Sequence, residues 1–460
     1  MANAIAILLR QANSTKHKSS HLPCLSLPPK YSNKKRKEFL PHIIIPLYLF
    51  HNPSLSSFLT MATFIRNLVI SYAFLAVFLS AGIGVFVGVE SFGINYGQVA
   101  NNLPPPDKVL ELLSTLNLTK TRIYDTNPQI LSSFANSNIE IIVTVENEIL
   151  SQLDDPQQAA QWVNSHIIPY LPETKITGVQ VGNEVFTDDD TTLIQHLVPA
   201  VVNIHNALSQ LGYSNIKVST PSSLAVLASS YPPSSGSFQS EISGIMYQFL
   251  NFLSTSKSPF WINAYPYFAY KDSPNGISLN YVLFNPNAGM VDPYTNLHYD
   301  NMLYAMVDAV SFAIAKMGFK GIEVRVSETG WPSKGDADEV GATPMNAATY
   351  NRNLLRRQMA GEGTPLNPRM RLDVYLFALF NEDLKPGPTS ERNYGLFRPD
   401  ESMTYNVGLS ALATSSASTS SSSSVSLASS AARVKVVAPW KCKKLVNWIL
   451  VCVLISTLYG

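Results

Sequence analysis

Short β-rich segments alternate with helical patterns throughout residues 91–410. The predicted strands are Phe92–Tyr96, Thr121–Tyr124, Ile139–Val145, Gly178–Val181, Ile216–Thr220, Phe260–Ala264, Glu323–Val326 and Leu372–Phe380. The predicted helices between them are Asp107–Leu116, Pro128–Ala135, Pro156–Leu171, Leu193–Leu211, Asn301–Met317 and Pro344–Met359. This alternation indicates an α/β protein with a parallel sheet. Eight such units predict a closed (β/α)8 TIM barrel in a single catalytic domain.

An open, doubly wound sheet is the alternative that the same alternation allows. The first predicted strand contains Gly93-Ile-Asn-Tyr-Gly97, whose glycine spacing differs from the Gly-x-Gly-x-x-Gly of dinucleotide-binding sites. The sequence also lacks the Gly-x-Ser-x-Gly turn that carries the nucleophile of α/β-hydrolases. These two observations favour the barrel.

The composition disfavours several classes of function. The 460-residue chain has a formal net charge of +1, which gives no electrostatic basis for binding nucleic acid. Its three cysteines, Cys24, Cys442 and Cys452, lie near the termini, so residues 91–410 hold no disulfide framework and no cysteine-based metal site. The same segment has no His-x-x-x-His pair. We therefore expect no metal, no cofactor and no nucleic-acid partner.

Polar side chains follow the predicted strands at the points where the strands end. The strand Val324–Val326 is followed by Glu328 and then by a Gly-Trp-Pro turn, Gly330 to Pro332, which cannot continue a strand. Other strand ends carry Tyr96, Asp125, Glu146, Asn183, Glu184, Asn263 and Glu382. Because the C-terminal ends of the strands form the active site in barrels of this kind, we expect these side chains to meet in one site.

Paired carboxylates among amides and aromatic rings are typical of glycoside hydrolysis. One carboxyl group protonates the leaving oxygen, and the other attacks the sugar or activates water. Aromatic faces stack on sugar rings, while amides and tyrosine hydroxyls bond to sugar hydroxyls. Strand-end carboxylates are the candidates for these two roles, Glu184 and Glu328 among them, and Asn183 beside Glu184 is expected to hold a sugar 2-hydroxyl.

At these residues the chain closely resembles the plant endo-β-1,3-glucanases of glycoside hydrolase family 17. The most specific pieces are Val181-Gly-Asn-Glu184, Asn263-Ala-Tyr-Pro-Tyr-Phe-Ala-Tyr270, Val326-Ser-Glu-Thr-Gly-Trp-Pro332 and Phe380-Asn-Glu382. The resemblance implies a (β/α)8 barrel and retaining hydrolysis of β-1,3-glucan such as callose, with Glu328 as nucleophile and Glu184 as acid/base. It also implies a supporting set of substrate-site residues: Glu382, Lys385 and Glu391 near the nucleophile, and Tyr96, Asn263, Tyr265, Tyr267 and Tyr270 along the cleft.

This mechanism makes two electrostatic demands on the site. Glu184 must be protonated near the working pH, so we expect neighbouring negative charge to raise its pKa. Lys385 is expected to lie near Glu328 and to keep that carboxylate ionised. Two other functions stay open: hydrolysis of a different β-glucan, such as mixed-linkage β-1,3-1,4-glucan, and non-catalytic binding of cell-wall glucan.

The N-terminal region has the pattern of a secretory signal. Residues 61–90 begin with Met61, contain Arg66, and continue into an apolar run with small residues near its end, which predicts a signal peptide. The run is also long enough for a membrane anchor, which is the alternative. Residues 1–60 precede this pattern as an extension without an evident role.

The C-terminal region predicts attachment to a membrane lipid. Residues 411–432 are rich in serine and predict a flexible stalk. Residues 433–460 supply a basic spacer and an apolar tail, the order of a removable GPI-attachment signal, with Ser429 or Ser430 as the lipidated residue. A C-terminal membrane segment is the alternative. We expect a secreted monomer at the outer face of the plasma membrane and in the cell wall, with one N-glycan at Asn117 in the barrel.

Overall fold

The computed structural model describes residues 92–408 together with Arg66, and within them nine parallel strands form one sheet. These strands are β1 (Gly93–Asn95), β2 (Lys120–Arg122), β3 (Glu140–Val145), β4 (Ile176–Val181), β5 (Lys217–Ser219), β6 (Pro221–Ser223), β9 (Phe260–Asn263), β12 (Val324–Thr329) and β13 (Val374–Leu376). Two antiparallel hairpins lie outside this sheet: β7 (Leu227–Ser229) with β8 (Ser237–Phe238), and β10 (Met290–Val291) with β11 (His298–Tyr299).

The sheet closes through an interrupted strand. Its order is β5-β4-β3-β2-β1-β13-β12-β9-β6, so the two outermost strands are β5 and β6, which are separated only by Thr220. Lys217 of β5 pairs with β4, and Pro221 of β6 pairs with Trp261 of β9. The two halves of this strand therefore complete the ring of a (β/α)8 barrel, and the predicted fold class is confirmed.

Nine α-helices connect the strands in the described part of the chain. They are α1 (Pro106–Thr115), α2 (Pro128–Ser133), α3 (Pro156–His166), α4 (Ile194–Gln210), α5 (Ser243–Ser256), α6 (Pro266–Asp272), α7 (Leu279–Val282), α8 (Met302–Lys316) and α9 (Pro344–Met359). Five of them start with proline, whose fixed φ and missing N–H suit a first helical turn. Asn127, Asp155, Asn301 and Thr343 each accept a backbone N–H bond at a helix start, and these caps define where α2, α3, α8 and α9 begin.

Some element boundaries differ from those predicted from the sequence. The helix predicted to reach Leu171 ends at His166, because Pro169 follows and the chain forms a 3-10 turn instead. The strand predicted over Leu372–Phe380 is reduced to β13, since the chain leaves the ladder beyond Leu376, and Phe380 forms only an isolated bridge with Phe397. The helices α5, α6 and α7 and both hairpins were not predicted.

The barrel interior contains a small apolar layer of its own. Ile142, Trp261 and Tyr375 come from β3, β9 and β13 and form a buried cluster separate from the main core. Residues on these three strands meet only across the inside of the ring. Gly93 makes room for this layer, because a Cβ there would lie 2.3 Å from the Tyr375 ring.

The Gly-Trp-Pro turn after β12 is part of the core. Trp331 is fully buried, its ring centroid lies 5.2 Å from that of Tyr267, and its indole N–H donates to the Gly341 carbonyl at 2.8 Å. Gly330 does not have a positive φ, so the backbone angle is not why glycine occupies this position. A Cβ there would lie 2.1 Å from the Phe377 carbonyl oxygen, and the close approach of two chain segments is therefore the reason.

Replacing Gly330 by Ala is expected to lower the free energy of unfolding by about 1–3 kcal/mol, because the new methyl group overpacks against backbone that has no freedom to rotate away. Urea denaturation of the barrel measures this. Gly244→Ala in α5 is the matched control, since nothing lies within 4 Å of its Cβ position and the change favours a helix. Equal midpoints for the two variants would contradict the packing argument.

The expected targeting segments lie outside the described residues. This applies to the extension 1–60, the signal peptide 61–90 (of which only Arg66 is described), the stalk 411–432, the attachment signal 433–460, and the lipidation sites Ser429 and Ser430. Within residues 92–408 no helix is long and apolar enough to cross a membrane. The sequon residue Asn117 is exposed just after α1, which leaves it accessible.

Candidate active site

Glu328 projects from the end of β12 because the strand contains a bulge. The pairing register between β12 and β9 shifts between Val326 and Glu328. In a regular strand, neighbouring side chains point to opposite faces, so Ser327 and Glu328 would diverge. Here the Ser327 hydroxyl contacts Asn263 at the barrel interior, and Glu328 also reaches interior partners. The bulge thus turns the carboxylate into the site.

Three donors converge on the Glu328 carboxylate, which is 7% exposed. The Arg122 guanidinium donates to Oε1 at 2.6 Å, the Tyr124 hydroxyl donates to Oε1 at 2.8 Å, and the Tyr265 hydroxyl donates to Oε2 at 2.9 Å. An ionised carboxylate only accepts hydrogen bonds, so this set of donors suits a charged Glu328 held in one orientation.

Arg122 is one of the site residues that the sequence did not predict, together with Tyr124 and Asn147. It is fully buried, and its second guanidinium nitrogen donates to Asn183 Oδ1 at 2.8 Å, so it connects Glu328 with the segment that carries Glu184. The available signal was an arginine inside a short predicted strand, where a charged side chain needs a buried partner. The cation that contacts Glu328 directly is Arg122, whereas Lys385 pairs with Glu391, so the electrostatic role expected of Lys385 toward Glu328 stays a prediction.

Glu184 follows β4 in a strained backbone conformation. Its φ is 57°, in the left-handed region that residues other than glycine rarely adopt, and its N–H donates to the Pro221 carbonyl at 3.0 Å. The carboxylate Oε1 accepts a bond from Asn263 Nδ2 at 2.8 Å. Burial, and next the negative charge of Glu328, raise the pKa of Glu184 to about 7. The sequence predicted the direction of this shift but assigned it to neighbouring charge alone.

Amide side chains fix the positions of both carboxylates. Asn263 bonds Glu184 through Nδ2 and accepts the Ser327 hydroxyl at Oδ1 at 2.5 Å, so it links the ends of β4 and β12. Asn147 accepts the Asn183 N–H at 2.8 Å and donates to the Asn183 carbonyl at 3.1 Å. The predicted residues Asn183 and Asn263 are thus in the site: Asn263 donates directly to Glu184, and Asn183 accepts a hydrogen bond from Arg122, which also bonds Glu328.

Glu382, Lys385 and Glu391 form a second charged group close to Glu328. Lys385 Nζ lies 3.7 Å from Glu391 and 4.4 Å from the centre of the Phe377 ring. Burial raises the pKa of Glu382 and Glu391, and Lys385 opposes this shift in both. Glu382 also accepts the Val99 N–H at 2.9 Å. Lys385 therefore balances these two carboxylates.

The predicted cleft tyrosines have different surroundings. Tyr267 is fully buried against Trp331, and Tyr96 is 3% exposed with its ring packed edge-on against Phe380. Neither ring offers a face for stacking on a sugar, so the stacking role expected of Tyr267 is wrong, while a substrate contact by Tyr96 stays a prediction. Tyr265 and Tyr270 are partly exposed, and the Tyr265 hydroxyl binds Glu328 directly.

The chemistry available here is that of two carboxyl groups in unlike environments. One is buried, with a pKa near neutrality, and accepts a single amide bond. The other has three donors, one of them cationic. Residues 92–408 contain no cluster of three or more side chains suited to a metal ion. Such a pair can deliver a proton with one member and attack with the other.

Replacing Glu328 by Gln is expected to lower the pKa of Glu184 below about 7, because it removes a negative charge that disfavours ionisation and leaves Arg122 to favour it. NMR titration of protein labelled at the glutamate side-chain carbon measures this without any substrate. Glu148→Gln, at an exposed position after β3, is the control and is expected to leave the pKa unchanged. An unchanged or higher pKa in the Glu328→Gln variant would show that the two carboxyl groups do not interact.

Comparison with known proteins agrees with this architecture. The family model described as "Glycosyl hydrolases family 17" matches residues 92–409. Glucan endo-1,3-beta-glucosidase 14 of Arabidopsis thaliana is 53% identical over 70% of this chain and 82% of its own length. Glucan endo-1,3-beta-glucosidase 11 of the same plant is 51% identical over 69% and 75%.

Solved structures give the same result. A beta-1,3-glucanase and allergen of Cryptomeria japonica pollen has a TM-score of 0.67 and 42% identity, covering 70% of this chain and 99% of that one. A structure from a study of two plant beta-glucan endohydrolases with distinct substrate specificities has a TM-score of 0.64 and 36% identity, covering 68% and 99%. The chain therefore belongs to glycosyl hydrolases family 17 and is a glycoside hydrolase.

Proposed function

We propose that this enzyme cleaves internal bonds of β-1,3-glucan and retains the configuration of the anomeric carbon. The observation that carries the proposal is the contrast between Glu184, whose pKa is raised to about 7, and Glu328, which three donors hold. A retaining glycosidase needs these two states side by side. The names of the relatives, which specify 1,3-linked glucan, support the choice of substrate.

In the first step, Glu328 attacks the anomeric carbon while Glu184 gives its proton to the departing glycosidic oxygen. The bond to the leaving sugar breaks as the bond to the Glu328 carboxylate forms, and a covalent glycosyl-enzyme results. In the second step, Glu184 takes a proton from water, and that water displaces Glu328. Arg122, Tyr124 and Tyr265 orient Glu328 for attack and stabilise its charge when it leaves.

Hydrolysis of a mixed-linkage β-glucan is the second candidate function. One of the similar structures belongs to a pair of plant β-glucan endohydrolases with distinct substrate specificities, so the barrel alone does not decide the linkage. Comparing rates on laminarin, callose, lichenan and cellulose tests the choice, and we expect the 1,3-linked substrates to be preferred. A non-catalytic glucan-binding role is disfavoured, because both carboxylates and their supporting bonds are present.

The first product of laminarin hydrolysis is expected to be the β-anomer, because two successive inversions at the anomeric carbon restore its configuration. Proton NMR during the first minutes of reaction measures this. A retaining site also requires the two carboxyl groups to lie about 5–5.5 Å apart. An α-anomeric first product, or a separation of roughly 9 Å, would show an inverting enzyme and exclude Glu328 as nucleophile.

Replacing Tyr265 by Phe is expected to lower kcat/KM on laminarin about ten- to hundredfold, because it removes one hydrogen bond to the charged Glu328. Tyr267→Phe is the matched control. Its ring is fully buried and its hydroxyl has no hydrogen-bond partner among the described residues, so we expect less than about a twofold change. Equal kinetics for the two variants would contradict the positioning role of Tyr265.

We also propose that the mature enzyme is GPI-anchored at the outer face of the plasma membrane as a monomer, with a glycan at Asn117. The order of signal pattern, serine-rich stalk, basic spacer and apolar tail supports the anchor. Phosphatidylinositol-specific phospholipase C is expected to release active enzyme from plant membranes. Enzyme that stays bound and still carries residues 445–458 would instead show that the tail is a membrane segment.

A further inference from the structure

Two of the most exposed aromatic side chains of the described residues belong to neighbouring segments. Tyr231 is 67% exposed and Tyr294 is 75% exposed, and Val291 near Tyr294 is 57% exposed. Tyr231 lies in the loop between β7 and β8, and Tyr294 lies in the turn between β10 and β11. The mechanism proposed above uses neither residue.

One buried carboxylate joins the two segments. Asp292 is fully buried and accepts the N–H and the hydroxyl of Ser234, each at 2.8 Å, from the first segment. It also accepts the N–H groups of Tyr294 and Thr295 in its own turn, at 3.0 and 3.1 Å. Four donors on one side chain hold the backbone at Ser234 and Tyr294 close together, and the surface is therefore preorganised.

The paired segments lie in the outer layer of the barrel, against helix α8. Gly236 packs so closely on the middle of α8 that a Cβ would lie 2.1 Å from the Ala309 carbonyl oxygen. Lys316 at the end of the same helix donates to the Ser235 carbonyl at 2.8 Å. Neither contact involves Glu184, Glu328 or a residue that bonds to either of them.

The chemistry of this surface points to an uncharged carbohydrate. Residues 230–237 and 290–296 carry no charged side chain except Asp292, which is buried. What they expose is aromatic, with serine, threonine and asparagine nearby. Tyrosine faces stack on sugar rings, and hydroxyl and amide groups bond to sugar hydroxyls. Pro232, Pro233 and Pro293 restrict the backbone, which reduces the entropy lost on binding.

We propose that Tyr231 and Tyr294 form a second binding site for a β-glucan chain, outside the catalytic site. The choice of glucan rests on the function proposed above, whereas the existence of a carbohydrate-binding surface rests on the exposed rings and their shared anchor. Contact at two places on one polymer raises the effective concentration of glucan at the carboxylates. The site therefore serves insoluble or long substrates more than short ones.

Retention on insoluble β-1,3-glucan tests this site. The full-length chain carrying Glu328→Gln, which leaves the polymer intact, is incubated with the particles, and the unbound fraction is measured over a range of glucan amounts. Adding Tyr231→Ala and Tyr294→Ala is expected to weaken retention about tenfold or more, since two stacking contacts are lost. Tyr247→Ala in α5, 53% exposed, removes an exposed tyrosine elsewhere and is expected to change retention less than about twofold.

Two further readouts make the result decisive. Unfolding temperatures of the variants within a few degrees of each other establish that the barrel is intact, and a single Tyr294→Ala variant replaces the double one if they differ. Equal retention for the double variant and the Tyr247→Ala control overturns the proposal. Hydrolysis of a soluble oligosaccharide by the unmutated enzyme tests the catalytic proposal separately.

Discussion

The contact between Arg122 and Glu328 is the interaction on which the rest of the site depends. Arg122 is fully buried inside the barrel, and transferring such a charge from water is costly unless a partner compensates it. Glu328 is that partner at 2.6 Å, and Asn183 takes the second guanidinium nitrogen. Removing either charged member would leave the other buried and unpaired, which typically costs about 3–5 kcal/mol. The pair is therefore a constraint on stability as well as on catalysis.

The same pair explains how two glutamates of one site come to differ. Donors surround Glu328, whereas Glu184 is buried and faces the charge that Glu328 carries, so its pKa rises to about 7. Both environments are made by residues at the C-terminal ends of strands. Because β2, β4, β9 and β12 meet at one end of the ring, residues far apart in sequence interact through single hydrogen bonds.

The sequence predicted the barrel and its two central carboxylates, because alternation and strand-end position are local properties that the chain displays directly. It did not predict Arg122 or the bulge before Glu328, since both depend on how neighbouring strands pair. Tyr265 and Tyr267 show the same limit. They are two residues apart in one motif, yet Tyr265 reaches Glu328 and Tyr267 packs on Trp331, because helix α6 starts between them at Pro266.

The division of the fifth strand has a similar cause. The sequence predicted one strand over Ile216–Thr220, whereas the chain pairs with β4 before Thr220 and with β9 after it. In a closed ring every strand pairs with a neighbour on each side. The fifth strand must therefore pair with both β4 and β9, and only the completed barrel imposes that requirement. The sequence could therefore predict that the sheet closes but not the residue at which the two halves separate.

Covalent trapping tests the central claim most directly. A β-1,3-linked disaccharide fluoride with fluorine at the 2-position reacts in the first step but leaves the enzyme slowly, because the fluorine destabilises the positively charged transition state. Digestion and mass spectrometry then locate the attached sugar. The account predicts the label on Glu328 alone. A label on Glu382 or Glu391, or hydrolysis of the reagent with no covalent enzyme, would contradict it.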